Sequence, residues 1–134
     1  MPLIRPRFSV LLALLLAALC LSACGSDDPV NKTDRSRAEA DARASFGIIR
    51  TAVLAHFKKT GKLPDEPTLA HFGIDEGQLR KTFYEAYEFE LDGDPEDGYG
   101  GTTVTARPKE GSAAPLMVMT FEDMRSGAHK IRVK

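Results

Sequence analysis

The longest apolar run in the chain is Phe8–Leu21, interrupted only by Ser9, with Arg5 and Arg7 ahead of it and no acid before Asp27. A positive end followed by a short apolar core reads as an export signal spanning residues 1–23. The run is shorter than the ~20 residues a bilayer-spanning helix needs, and it gives way to Gly25-Ser26-Asp27-Asp28, so a permanent transmembrane anchor is not predicted. Residues 24–35 are polar, rich in turn formers and without apolar period, which predicts a flexible tether.

From Ser36 to Thr60 the period becomes helical. Ala42, Phe46, Ile49, Val53 and Phe57 recur at steps of four, three, four and four, the spacing of one helix face, while Arg43, Arg50 and Lys58 fall on or near the other side. Ser36-Arg-Ala-Glu39 reads as a capping box at the start. Lys58, Lys59 and Gly61 supply the charge and the terminator at the end, and Pro64 reinforces the stop. Asp65–Gly73 predicts one or two helical turns with Leu69 and Phe72 inward, and Asp75–Gln78 another short turn carrying Leu79.

The period then drops to two. Phe83, Tyr87, Phe89 and Leu91 share one face of a predicted strand, with Glu88 and Glu90 on the other. Thr102–Arg107 alternates in the same way, placing Val104 and Ala106 inward. Leu116–Phe121 is apolar on both sides, as a central strand is, and Lys130–Lys134 reads as an edge strand with Ile131 and Val133 inward and its cations outward. The connections 92–101, 107–115 and Ser126-Gly127 are too short for crossover helices, so the strands form an antiparallel meander. The predicted fold is α+β, a single domain over 36–134 in which a long N-terminal amphipathic helix packs on a four-stranded antiparallel sheet.

Composition adds limits. The chain has 134 residues, and without the apolar block about 100 remain, enough for one core. Of the 18 basic side chains, Arg5 and Arg7 belong to the leader; the other 16 face 19 acids, a balance of about −3 and the wrong sign for a nucleic-acid partner held by phosphates.

Leu21-Ser22-Ala23-Cys24 resembles the lipobox of bacterial lipoproteins. Small Ser22 and Ala23 suit a peptidase cleft, and the Cys24 sulfur is nucleophilic enough to take a lipid. The resemblance implies cleavage before Cys24, a diacylglycerol thioether, and acylation of the freed amine with chains such as palmitate. One myristoyl chain binds only marginally, at ~0.8 kcal/mol per buried methylene, whereas two or three hold a protein permanently. The alternative is an ordinary secretory signal with Cys24 incidental, which would leave one unpaired thiol in an oxidising compartment. Gly25 rather than Asp follows the cysteine, which by the same resemblance favours the outer membrane over the inner, with the domain in the periplasm or at the surface.

Arg50-Thr51-Ala52-Val53, Phe57 and Gly61-Lys62-Leu63-Pro64, followed by an irregular segment and antiparallel strands, resemble the globular half of type IV pilins and type II secretion pseudopilins over residues 38–134. The pilin Gly-Phe processing site and its long apolar stem are missing. The resemblance implies a pilin-like head held by lipid rather than by a helix, a non-enzymatic protein with an envelope or secretion partner, or with a structural role at the membrane.

Among candidate chemistry, the carboxylates from Glu85 to Asp97 stand in a stretch without Lys or Arg from Thr82 to Ala106. Asp92, Asp94 and Asp97 are weak candidates for a Ca²⁺ loop, the alternative function being cation or ligand binding through residues 88–97. The spacing argues against an EF-hand: read from Asp92, Pro95 stiffens the fourth position, Asp97 occupies the sixth where Gly is needed, and Thr103 the twelfth where Glu is needed. A solvated turn is the simpler reading. His56, His71 and His129 lack zinc spacing, and His56 reads as a hydrogen-bonded boundary residue. Gly98-Tyr-Gly-Gly101 lacks the Lys of a phosphate loop, and Ser45, Ser112 and Ser126 lack a nucleophile elbow, so neither an enzyme nor a cofactor is predicted. Met117 and Met119 read as core rather than as a copper pair. Tyr84 and Tyr99 are expected as exposed aromatics facing a protein partner.

Overall fold

The computed structural model describes residues 29–134. The expected export signal over 1–23, the lipobox-like segment with Cys24 and the first part of the expected tether lie outside the described residues. Lys32–Lys134 forms one compact unit. Its elements are helix α1 (Pro29–Thr60), two 3-10 turns (Leu69–Phe72 and Glu76–Gln78) and strands β1 (Tyr84–Glu90), β2 (Thr103–Pro108), β3 (Met117–Asp123) and β4 (Ala128–Val133). The strands follow the order β1-β2-β3-β4, every pair antiparallel. The fold is therefore α+β, a long helix on a four-stranded meander.

Helix α1 starts at Pro29, seven residues before the predicted start, so residues 29–35 are helical rather than tether. Apolar period marks where a helix buries a face, and from Lys32 to Arg37 no residue is buried, so the pattern did not register it. Pro29 at the first helical position suits a start, because its missing N–H is unpaired there in any helix. Ser36 and Glu39 are interior, and Glu39 pairs with Arg35 one turn earlier at 3.4 Å instead of closing a capping box. Among the described residues the first buried one is Ala38, and from there Ala42, Phe46, Ile49, Val53 and Phe57 form the buried stripe. The helix stops as predicted: Gly61 adopts φ +77°, which a residue with a Cβ resists, and its N–H reaches the Phe57 carbonyl at 2.7 Å.

The stripe lies on Tyr87, Val104, Ala106, Met117, Met119 and Phe121, all buried, with Phe46 meeting Tyr87 edge to face at 6.0 Å. Met117 and Met119 are fully buried core residues. Strand β1 departs from strict alternation. A bulge between Tyr84 and Ala86 turns Tyr84 inward with Tyr87, so Tyr84 is fully buried and Phe83 falls just before the strand, half-buried. On the edge strand β4, Ile131 is half-buried, but Val133, the last residue of a strand with one neighbouring strand, is 39% exposed.

Tyr84 donates its hydroxyl to the Pro115 carbonyl at 2.9 Å. Burial pushes this hydroxyl up from the ordinary 10.0 to about 12, with the neighbouring Tyr87 adding to the rise. The folded chain thus holds the proton more tightly than the unfolded chain. The resulting stability is complete below pH 10 and is lost as the pH climbs through about 12. Alkaline titration followed by tyrosinate absorbance and far-UV circular dichroism should show the last tyrosine ionising together with unfolding; full ionisation near pH 10 with the fold intact would contradict it.

Candidate functional site

The acidic stretch forms the β1–β2 connection. Its carboxylates face their own backbone: Asp92 Oδ1 accepts from the Gly93 N–H at 2.8 Å, Asp97 Oδ1 from the Asp94 N–H at 3.0 Å, and Asp94 Oδ1 from the Asp97 N–H at 2.9 Å. The last two are reciprocal turns in which each side chain caps the other's amide. Thr102 completes the loop neck, its hydroxyl donating to the Asp92 carbonyl at 2.8 Å and accepting from the Asp92 N–H at 3.0 Å. Among the described residues, no group of three His, Cys, Asp or Glu side chains converges as a metal site would require.

The cation for this loop comes from far along the chain. Arg125 donates to the Glu96 carbonyl at 2.8 Å and grips Asp123 through Nε and Nη2 at 3.0 and 3.1 Å. Hydrogen bonds from Arg125 hold the Asp123 carboxyl below the usual carboxylate range, and Asp123 in turn raises Arg125. The absence of Lys or Arg from 83 to 105 gave no hint of this. The β3–β4 turn delivers the charge, and only the meander brings that turn beside the loop.

Tyr99 sits at the loop's far end with φ +55°, the only described residue other than glycine in the left-handed region. It is 4% exposed, its hydroxyl accepts from the Leu63 N–H at 2.8 Å, and its ring meets Phe57 edge to face at 5.8 Å. Tyr84 and Tyr99 are thus core residues, not exposed aromatics. Each has a hydroxyl that reaches a backbone group, so a polar tip did not keep either ring at the surface. Tyr99 instead ties the acidic loop to the end of α1.

Ser45, weighed and set aside as a nucleophile, is fully buried, and its Oγ accepts from the Arg80 N–H at 2.8 Å. The Arg80 carbonyl accepts from the Tyr87 hydroxyl at 2.9 Å. These contacts fasten the helix to the start of the sheet. Ser112 donates to the Phe83 carbonyl, 29 positions away, and Ser126 donates to the Asp123 carbonyl within the β3–β4 turn.

The histidines do not come together. His56 stands edge-on to Phe72 at 5.2 Å, His71 Nδ1 lies 3.0 Å from the Thr68 N–H, and His129 Nδ1 lies 3.2 Å from the Gly127 carbonyl. Arg50, expected near the solvent side, flanks the core stripe. Its Nη2 donates to the Gly127 carbonyl at 2.9 Å, while its buried Nε has no hydrogen-bond partner among the described residues. Around it runs an open cleft of about 490 Å³ walled by Leu54, Phe57 and Met124. A second open groove, of about 730 Å³, lies between the 3-10 turns and β1, and its Asp75 and Glu76 already engage Gly77 N–H and Lys81.

No family model, curated protein or solved structure matches this chain.

Proposed function

We propose that this chain is a bacterial envelope lipoprotein, held by acyl chains on Cys24, whose small pilin-like head acts by protein contact or as a structural element rather than as an enzyme. The observation that carries the reading is Leu21-Ser22-Ala23-Cys24 placed directly after the apolar run that ends at Leu21. The head lends support in its build: a helix of 32 residues, ~48 Å long at ~1.5 Å per residue, whose stretch from Lys32 to Arg37 runs past the first buried residue, laid on a meander with turns rather than a deep cavity. The outer membrane is the favoured destination, because Gly25 follows the cysteine. The partner is another envelope or secretion protein.

Cys24→Ser removes the sulfur that takes the lipid. The variant is expected to remain uncleaved or to appear in the soluble fraction, while the parent partitions into detergent and gains the mass of two or three acyl chains. An intact-mass spectrum of the exported parent showing an unmodified amino terminus would overturn the proposal.

A further inference from the structure

Helix α1 covers one face of the sheet, and none of the outward residues on the other face is buried. The strand register lays two rows across that face. Glu90, Thr103, Thr120 and Lys130 form one, and Glu88, Thr105, Val118 and Arg132 form the next. Each row begins with a carboxylate on β1, crosses β-branched uncharged side chains on β2 and β3, and ends with a cation on β4. Glu88 also pairs with Arg107 at 2.6 Å, and Lys130 with Glu122. Glu90 and Arg132 have no ion pair among the described residues.

Within these two rows the face is a tile with one negative rim, one positive rim and a neutral centre, with Arg107 on β2 and Glu122 on β3 standing beyond them in pairs with Glu88 and Lys130. Such a pattern matches itself in only one of two face-to-face arrangements. A two-fold axis running across the strands stacks β1 on β1 and opposes like charges. An axis parallel to the strands stacks β1 on β4 and β2 on β3, so Glu90 faces Lys130 of the second copy and Glu88 faces its Arg132. We propose that the uncovered sheet face docks a second copy of this chain about a two-fold axis parallel to the strands. The Thr and Val side chains of the centre then interdigitate as in an aligned sandwich, with the sheets ~10 Å apart.

The tile measures roughly 20 by 20 Å, from strands ~4.8 Å apart and ~3.4 Å per residue, so the contact hides on the order of 800 Å² in total. That is below the ~1,200 Å² of stable complexes, and the dimer is weak and reversible. The rim charges set its orientation and make it sensitive to salt.

Sedimentation velocity of the full-length chain in mild detergent, from tens to hundreds of micromolar, tests the proposal. The parent is expected to move between monomer and dimer with no larger species, and to lose dimer in 0.5 M NaCl, as screening at about this ionic strength requires. Glu90→Lys alone and Lys130→Glu alone should each weaken dimerisation about tenfold, and the two together should restore it. Both positions of that test are exposed, and circular dichroism of each variant verifies the fold. A parent that stays monomeric overturns the proposal. So does a dimer indifferent to either charge reversal, which would lie elsewhere, or an open series of larger species, which would mean pairing of the β4 edge with the β1 edge of the next copy.

Discussion

Phe46→Ala should lower the midpoint of thermal unfolding by roughly 15–30 °C, the largest effect of any single truncation in the helix stripe. Phe46 has no solvent-exposed surface, and its ring meets Tyr87 edge to face at 6.0 Å. Truncating a buried Phe costs about 3–5 kcal/mol through lost transfer energy and the cavity left behind. A domain of this size has about 5–15 kcal/mol to lose, so the variant stands near the limit of folding. The cavity would open between helix and sheet, where Ile49 on one side and Met119 on the other are themselves fully buried and confined. Thermal denaturation followed by circular dichroism measures the shift, with Thr51→Ala on the exposed face as a reference expected to stay within about 0.5 kcal/mol of the parent. A loss below about 1 kcal/mol at Phe46 would mean that the helix is not seated on the sheet as described.

Gly98→Ala should cost about 2–4 kcal/mol, although it adds a single methyl group. Gly98 has φ +71°, where an L-residue with a Cβ is strained by about 1–2 kcal/mol. The new carbon would also fall inside the contact distance of Asp123 Oδ1 and 3.2 Å from Arg125 Nε. That carboxylate cannot step aside cheaply, because the Arg125 N–H holds it at 2.8 Å and the guanidinium grips both its oxygens. The two contributions separate in a double-mutant cycle. With Asp123→Ala already present, Gly98→Ala should cost only the backbone share of about 1–2 kcal/mol, so the sites couple strongly. Additive costs would show that Asp123 does not press on Gly98.

Several features of the fold were visible as period alone. The stripe Ala42, Phe46, Ile49, Val53, Phe57 is buried as expected, since a helix that must pack writes its period into its own residues. The alternation of Val104 with Ala106 and the two-sided apolar run through Met117 and Met119 identified β2 and the central β3. Short connections left only the meander. The start of α1 lies outside the periodic pattern because from Lys32 to Arg37 the helix buries no residue, so no apolar period marks it. The facing of Tyr84 was missed because a bulge shifts the parity of β1, and nothing in a single strand announces a bulge that its partner creates.

The candidate site shows the same division more sharply. The carboxylates of the 92–97 loop could be named from the chain, but what engages them could not. Asp94 and Asp97 cap each other, while the balancing cation is Arg125, and the glycine that makes room for its Asp123 partner is Gly98. Tyr99, Ser45 and Arg50 each meet a backbone group from 36, 35 or 77 positions away, so no local pattern could have flagged them.

What the amino-acid order determined by itself is whatever depends on neighbours within a turn or a strand: the helix stripe, the stop at Gly61 and the alternating strands. Only the tertiary structure decided which side of β1 faces the core, which tyrosines are buried, why Val133 is left partly bare, and how acidic and basic rims come to flank one open sheet face. Those outcomes depend on pairings between residues tens of positions apart, and chain closure, unlike periodicity, leaves no signature in the residues it joins.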